Sequence, residues 1–195
     1  MKIGFLGGSF DPVHFGHLLA AQDAFEQFRL DRLIFVPAAL APLKPNEPQT
    51  APADRLGMLK AALESDKRFE ISDVEIRRGG VSYTVDTARH FRAAHPKDEL
   101  YWIIGGDQLA QLHDWKDVGE LARLLEFILL ERPGYPPKAQ PDIPGLRPHR
   151  CEGHLFAVSS TELRARARGG LPLDYFMPRK AIDYIQEKGL YRASK

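Results

Sequence analysis

The chain has 195 residues, with 27 lysines and arginines against 26 aspartates and glutamates. That length buries a core of ordinary size and is read as one domain over residues 1–195. The near-neutral balance excludes a broad electrostatic attraction to nucleic acid or to an anionic membrane, so any anion must be held by locally placed charges and the expected partner is small.

Lys2-Ile3-Gly4-Phe5-Leu6 is a short apolar run with the flanks of a buried strand. Gly7-Gly8-Ser9-Phe10-Asp11-Pro12-Val13-His14-Phe15-Gly16-His17 follows it at once and opens into a helix. Two glycines at a strand's carboxyl end permit a tight turn and the close approach of a ligand to the backbone N–H groups. The spacing is neither that of a Lys-Ser/Thr phosphate loop nor that of a dinucleotide-binding turn. In their place stand His14 and His17, three apart, so a helix beginning near Phe15 sets both rings at its N-terminus, where anions are favoured. The alternatives are ordinary turn chemistry with the histidines as caps, or a metal site. Zinc would need a third ligand, and the His-Glu-x-x-His arrangement is missing.

Farther along, helix-like and strand-like segments alternate. His17 to Phe28 reads as a helix with an apolar face at Leu18, Ala21, Phe25 and Phe28, and Leu33–Val36 as a second buried strand. Asp54 to Leu63 is helical and Phe69 to Ile76 extended; Tyr83 to Ala94 is a helix and Leu100 to Ile104 a strand. Val118 to Leu125 is a helix, Phe127 to Leu130 a strand, and Leu155 to Val158 the last strand. Such alternation predicts an α/β fold, a mostly parallel sheet with helices on both faces. Two proline-dense links, Pro37 to Pro52 and Pro133 to Pro148, leave the carboxyl ends of strands, where open α/β sheets place their ligands.

Several polar groups fall at those ends. Lys44, in the first proline-dense link, reads by itself as solvated surface. Ser82-Tyr83-Thr84 sits between Gly79-Gly80 and a helix, a capping place that explains one hydroxyl but not three in a row. Gly105-Gly106-Asp107 follows a strand, and Asp107 is either a helix cap or a ligand to hydroxyls; Trp115 is a core residue by default. In Val158-Ser159-Ser160-Thr161-Glu162-Leu163-Arg164, Ser159 and Glu162 have the spacing of a capping box. Arg164 and Arg168 then share one helix face while Arg166 points elsewhere. The lone Cys151 cannot form an internal disulfide, nothing near the start has a leader's charged-then-apolar pattern, and no apolar run is long enough to span a bilayer, so the expected location is the cytoplasm.

The first loop resembles the signature of nucleotidyltransferases that carry Gly-Gly-Thr-Phe-Asp-Pro-x-His-x-Gly-His after their first strand, Ser9 keeping the hydroxyl. Val158 to Arg164 is similar to their second signature, Ile-Ser-Ser-Thr-x-Ile-Arg, with Val158 and Leu163 as mild departures. Within that superfamily the chain most resembles the bacterial nicotinate-nucleotide adenylyltransferases. In those enzymes the first proline loop reads Pro-Pro-His-Lys; here Ala41-Pro42-Leu43-Lys44 keeps the lysine and puts leucine for histidine.

The resemblance implies a Rossmann-like nucleotidyltransferase fold and the transfer of AMP from ATP to nicotinate mononucleotide, giving deamido-NAD and pyrophosphate in NAD synthesis. It implies catalytic roles for His14, His17, Lys44 and Arg164. ATP would meet Gly7, Gly8, Ser9, Phe10, His17, Gly105, Asp107, Ser159, Ser160 and Arg164. Nicotinate mononucleotide would meet Ser82, Tyr83, Thr84 and Trp115. Mg²⁺ would ride on the ATP phosphates, with no metal site of the protein's own. Pantetheine-phosphate adenylyltransferase and a cytidylyltransferase of small phosphorylated alcohols share the first signature and differ in the acceptor pocket. A non-enzymatic nucleotide sensor on this fold would need a damaged phosphate site, whereas His14, His17 and Arg164 all stand.

Overall fold

The computed structural model describes residues 1–42, 50–131, 141–154 and 156–192. Its first strand, β1 (Lys2–Gly8), sends Ile3 and Phe5 into one apolar layer and Leu6 into the other, as the two-residue period of a strand requires. The elements that follow are α1 (Phe15–Gln27), β2 (Arg32–Pro37), α2 (Pro52–Leu63), β3 (Phe69–Ile71), α3 (Val74–Arg78), α4 (Thr84–Ala94), β4 (Glu99–Gly105) and α5 (Gly106–Ala110). A 3₁₀ turn at Leu112–Asp114 leads to α6 (Val118–Leu124), β5 (Glu126–Glu131), β6 (Pro148–Glu152), α7 (Ser160–Arg168) and α8 (Arg179–Lys188).

Among the described residues all strand pairs are parallel and their order is β3-β2-β1-β4-β5-β6, with Phe5 opposite Ile34 on one side and Trp102 on the other. The expected doubly covered parallel sheet is therefore what this sequence builds. One face carries Phe35, Ile103 and Ile128 under α1, α2, α7 and α8, through Ala21, Met58, Leu163 and Ile182. The other carries Phe5, Trp102 and Phe127 under α4, α5 and α6, through Phe91, Leu109 and Leu121. Each wholly buried side chain such as Phe35 contributes about 2 to 3 kcal/mol of transfer free energy. Strand order reverses between β1 and β4, so a crevice opens at their carboxyl ends. Among the described residues no helix is long and apolar enough to cross a membrane.

Two expectations are corrected, and one helix was not foreseen. Among the described residues the last strand is Pro148–Glu152 and residues 156–158 form no strand, Leu155 lying outside the described residues. Among the described residues β6 is an edge strand that pairs only with β5; it needs one inward apolar residue, the buried Cys151, and leaves the remaining side chains partly or fully exposed, so it carries no apolar run to read. The extended reading of Phe69 to Ile76 holds only to Ile71, because Val74 to Arg78 turns into a short helix that buries Glu75. Helix α8 was not foreseen, although Ala181, Ile182 and Ile185 bury one face of it at helical spacing.

Candidate active site

The loop leaving β1 is shaped by contacts on both of its flanks. A Cβ on Gly7 would stand 2.5 Å from the Trp102 ring, so the strand end can lie against β4 only without a side chain. Phe10 takes a left-handed φ of 49° and buries its ring edge-on to His17, 5.0 Å between centroids. Its side chain belongs to the core.

His14 caps α1. Its backbone N–H donates to His17 Nδ1 at 3.2 Å, and the two rings stack with centroids 3.8 Å apart. Gly16 leaves room for this stack, since a Cβ there would meet the His14 ring at 3.0 Å. Burial lowers the His14 pKa to about 4 and, with the His14 ring adding to it, holds His17 well below its usual range. Both rings are therefore neutral at pH 7. Because His17 accepts at Nδ1, its proton sits on Nε2, a donor at the helix N-terminus. His14 Nδ1 is buried without a hydrogen-bond partner.

The second predicted segment docks onto this loop. Ser159 caps α7 by accepting the Glu162 N–H at 3.2 Å, Ser160 Oγ donates to the Pro12 carbonyl at 2.9 Å, and Arg164 Nη1 donates to the Asp11 carbonyl at 2.8 Å. Gly7, Gly8, Ser9, Phe10, His14, His17, Gly105, Ser159, Ser160 and Arg164 thus line one cleft of about 430 Å³. Asp107 is exposed on the first turn of α5, outside that lining. Lys44 lies outside the described residues, as does Leu43.

Ser82, Tyr83, Thr84 and Trp115, expected from the sequence to meet the mononucleotide, lie outside that lining. Leu40 and Val81 bridge in parallel, and Ser82 N–H donates to the Leu40 carbonyl at 2.9 Å, which fixes the start of α4 against the chain leaving β2. Ser82 is buried; its Oγ accepts the Ala39 N–H at 2.9 Å and shares the buried Glu75 carboxyl with Thr87, whose hydroxyl donates to Glu75 at 2.5 Å. Its hydroxyl is engaged by the fold. Tyr83 and Trp115 both pack against the layer under α4, the Lys116 ammonium lies 4.6 Å from the Tyr83 ring centre, and Trp115 Nε1 is buried without a hydrogen-bond partner. Thr84 opens α4, among the N–H groups that a helix leaves unpaired.

Sequence reasoning missed the groups beneath the cleft. Arg55 is fully buried and donates to three carbonyls, Ser9 at 2.7 Å, Ala39 at 3.0 Å and Thr50 at 3.0 Å, tying the loops after β1 and β2 together. The Asp11 carboxylate, also buried, accepts from Thr50 N–H at 3.1 Å and from the Tyr191 hydroxyl at 2.5 Å. No sequence signal marked Arg55, because its burial shows only once α2 is placed against the sheet. Cys151 is buried with its thiol pushed up to about 12 by burial, and His154 pairs with Asp23 at 2.6 Å.

The chain matches the cytidylyltransferase-like family model over residues 5–166. A protein named "probable nicotinate-nucleotide adenylyltransferase" from Opitutus terrae is 72% identical over 195 residues, covering 100% of both chains. One of the same name from Desulfitobacterium hafniense is 40% identical over 201 residues, covering 98% of this chain and 96% of that protein. Among solved structures, Plasmodium falciparum nicotinic acid mononucleotide adenylyltransferase complexed with NaAD superposes with a TM-score of 0.78 at 19% identity, covering 97% of each chain, a likeness of fold.

Proposed function

The chain belongs to the cytidylyltransferase-like family and, within it, to the nicotinate-nucleotide adenylyltransferases, and from that membership we propose that it transfers AMP from ATP to nicotinate mononucleotide, releasing pyrophosphate and forming deamido-NAD. The observation that carries the residue-level reading is the cleft itself. A helix N-terminus, an unpartnered His14 Nδ1, a His17 with its proton on Nε2 and an anchored Arg164 converge there on space sized for a phosphate chain.

In this reading the 5′-phosphate of the mononucleotide attacks the α-phosphorus of ATP and pyrophosphate leaves in line. No protein nucleophile is required, and catalysis is positioning and charge stabilisation. The backbone from Gly7 to Phe10 and the start of α1 cradle the phosphates; His14 and His17 meet the charge that grows on the transferring group; Arg164 and Lys44 neutralise the leaving pyrophosphate. The negative charge of bound phosphate favours protonation of both rings, opposing the effect of burial. Gly105 and Asp107 serve the ribose, and Ser159 and Ser160 keep α7 in place beside the nucleotide. On the acceptor side Trp115 stacks on the pyridine and the Tyr83-Thr84 corner receives its carboxylate, while Ser82 acts from behind by holding that corner.

Among the described residues no cluster of three or more His, Cys, Asp or Glu is arranged to hold a metal, and the Asp11 carboxylate is already bonded twice. Mg²⁺ would enter this site carried by the ATP phosphates and water, and would supply charge neutralisation there. The partners proposed are ATP and nicotinate mononucleotide, in the cytoplasm, with neither nucleic acid nor membrane. Pyrophosphate release with nicotinate mononucleotide, nicotinamide mononucleotide and phosphopantetheine as acceptors tests the assignment; transfer mainly to phosphopantetheine would overturn it.

A further inference from the structure

We propose that the turn after α8 is part of the active-site scaffold, with the Tyr191 hydroxyl holding the Asp11 carboxylate so that the carbonyls of Asp11 and Pro12 present Arg164 and Ser160 to the nucleotide phosphates. The inference rests on the reading of Arg164 as a phosphate-binding residue. It starts from Asp11, which faces two ways. The residue is 3% exposed, and both carboxylate oxygens are taken, one by the Tyr191 hydroxyl at 2.5 Å and one by the Thr50 N–H at 3.1 Å. Its backbone carbonyl accepts from Arg164 Nη1 at 2.8 Å, and the next carbonyl, Pro12, accepts from Ser160 Oγ at 2.9 Å. What fixes the carboxylate therefore fixes the two acceptors on which the second signature docks.

Tyr191 is set up for this contact at a backbone cost. It takes a φ of 61°, in the left-handed region that a residue with a side chain occupies when its surroundings over-determine it. The left-handed Gly189 stops α8, and the Tyr191 ring then packs into the layer under α1 and α2, its hydroxyl 3.7 Å from Met58 Sδ. Burial and the Asp11 carboxylate both raise the phenol pKa, so it stays protonated and can only donate to Asp11. Arg55 holds the neighbouring Ser9 carbonyl from below. The loop is thus gripped from α2 at Ser9 and from the turn after α8 at Asp11, and Tyr191 is a positioning residue acting 180 residues along the chain from its target.

A plain structural staple would stabilise the fold without selecting Arg164, and a double-mutant cycle separates the two. Binding of a non-hydrolysable ATP analogue would be measured by calorimetry for the wild type, Tyr191→Phe, Arg164→Ala and the double variant. The positioning role expects Tyr191→Phe to weaken binding about tenfold in the wild-type background and less than about twofold once Arg164 is gone. An equal loss in both backgrounds, or a lowered melting temperature with unchanged affinity, would overturn it. If Tyr191→Phe does not fold, Asp11→Asn, which turns a charge-assisted contact into a neutral one, carries the same cycle. No acceptor is present in this measurement, so a wild type that fails to use nicotinate mononucleotide counts against the acceptor assignment alone. Wild-type affinity in Arg164→Ala would remove the phosphate reading and the Tyr191 proposal together.

Discussion

The His14 N–H donates to His17 Nδ1 at 3.2 Å, and this one hydrogen bond decides which nitrogen of His17 carries the proton. With Nδ1 accepting, Nε2 carries the proton and can meet charge that develops only in the transition state. His17→Ala should lower turnover by about a hundredfold or more, with a smaller effect on ATP affinity. Steady-state kinetics beside calorimetry separate the two, and near-normal turnover in a folded variant would sink the role.

The depressed His14 pKa makes a statement about stability. In the unfolded chain the imidazole titrates near 6.5, and in the fold near 4. Between these values the unfolded state binds more protons, so stability rises with pH through that window and is lost as pH falls from about 6.5 toward 4. The loss attributable to His14 is on the order of 3 kcal/mol at the acid end. Thermal melts at stepped pH should show this slope, and His14→Gln should flatten part of it. An unchanged slope in that variant would mean that other groups set the acid limit.

The two stretches that line the cleft were legible in the sequence because their residues are local. Gly7 to His17 and Ser159 to Arg164 are two contiguous stretches whose spacing already specifies a turn, a helix start and a cap. Their meeting was not legible, since the Asp11 and Pro12 carbonyls that receive Arg164 and Ser160 are backbone groups present at every position. Arg55 escaped for the same reason, its three partners all being carbonyls. Tyr191 is 180 residues from Asp11, and no local period could link them. Edge strand β6 was misplaced because only Cys151 turns fully inward, while the apolar letters that suggested a strand begin at residue 155.

Arg164 and Arg166 sit two apart on α7 and should behave differently. Arg166 gives Nε and Nη2 to the Pro172 carbonyl and covers the Phe176 ring at 4.7 Å, so it is spent on the turn after the helix. Arg164→Ala should raise the KM for ATP about tenfold or more with a small change in melting temperature. Arg166→Ala should leave the kinetics within about twofold while costing some stability. Equal kinetic losses would mean that α7 works as a diffuse basic face.

Ser82→Ala tests whether that hydroxyl serves the fold. Removing it leaves the Ala39 N–H and the buried Glu75 carboxyl each short of a partner, at a cost of about 1 to 3 kcal/mol in stability. Denaturant unfolding should register that loss. A stable variant with a raised KM for the mononucleotide would instead make Ser82 a direct ligand.

The acceptor corner is the strictest test of the functional reading. With Trp115 stacked on the pyridine ring and the start of α4 receiving the carboxylate, nicotinate mononucleotide should be preferred over the nicotinamide form. The amide carries no negative charge and presents N–H₂ to donors arranged for oxygen. Each buried donor so mismatched costs about 1 to 3 kcal/mol, which corresponds to a preference of roughly tenfold to several hundredfold in kcat/KM. Trp115→Ala should reduce use of both acceptors, because stacking on a flat ring does not depend on the carboxylate. Thr84→Ala should narrow the gap between them only in part, since it removes a hydroxyl while the backbone N–H groups of the first turn of α4 remain. The measurement is kcat/KM for both mononucleotides in the wild type and the two variants. Equal use of the two by the wild type would overturn the carboxylate-binding role of this corner, and a Trp115→Ala loss confined to the nicotinate form would replace stacking with an ionic account.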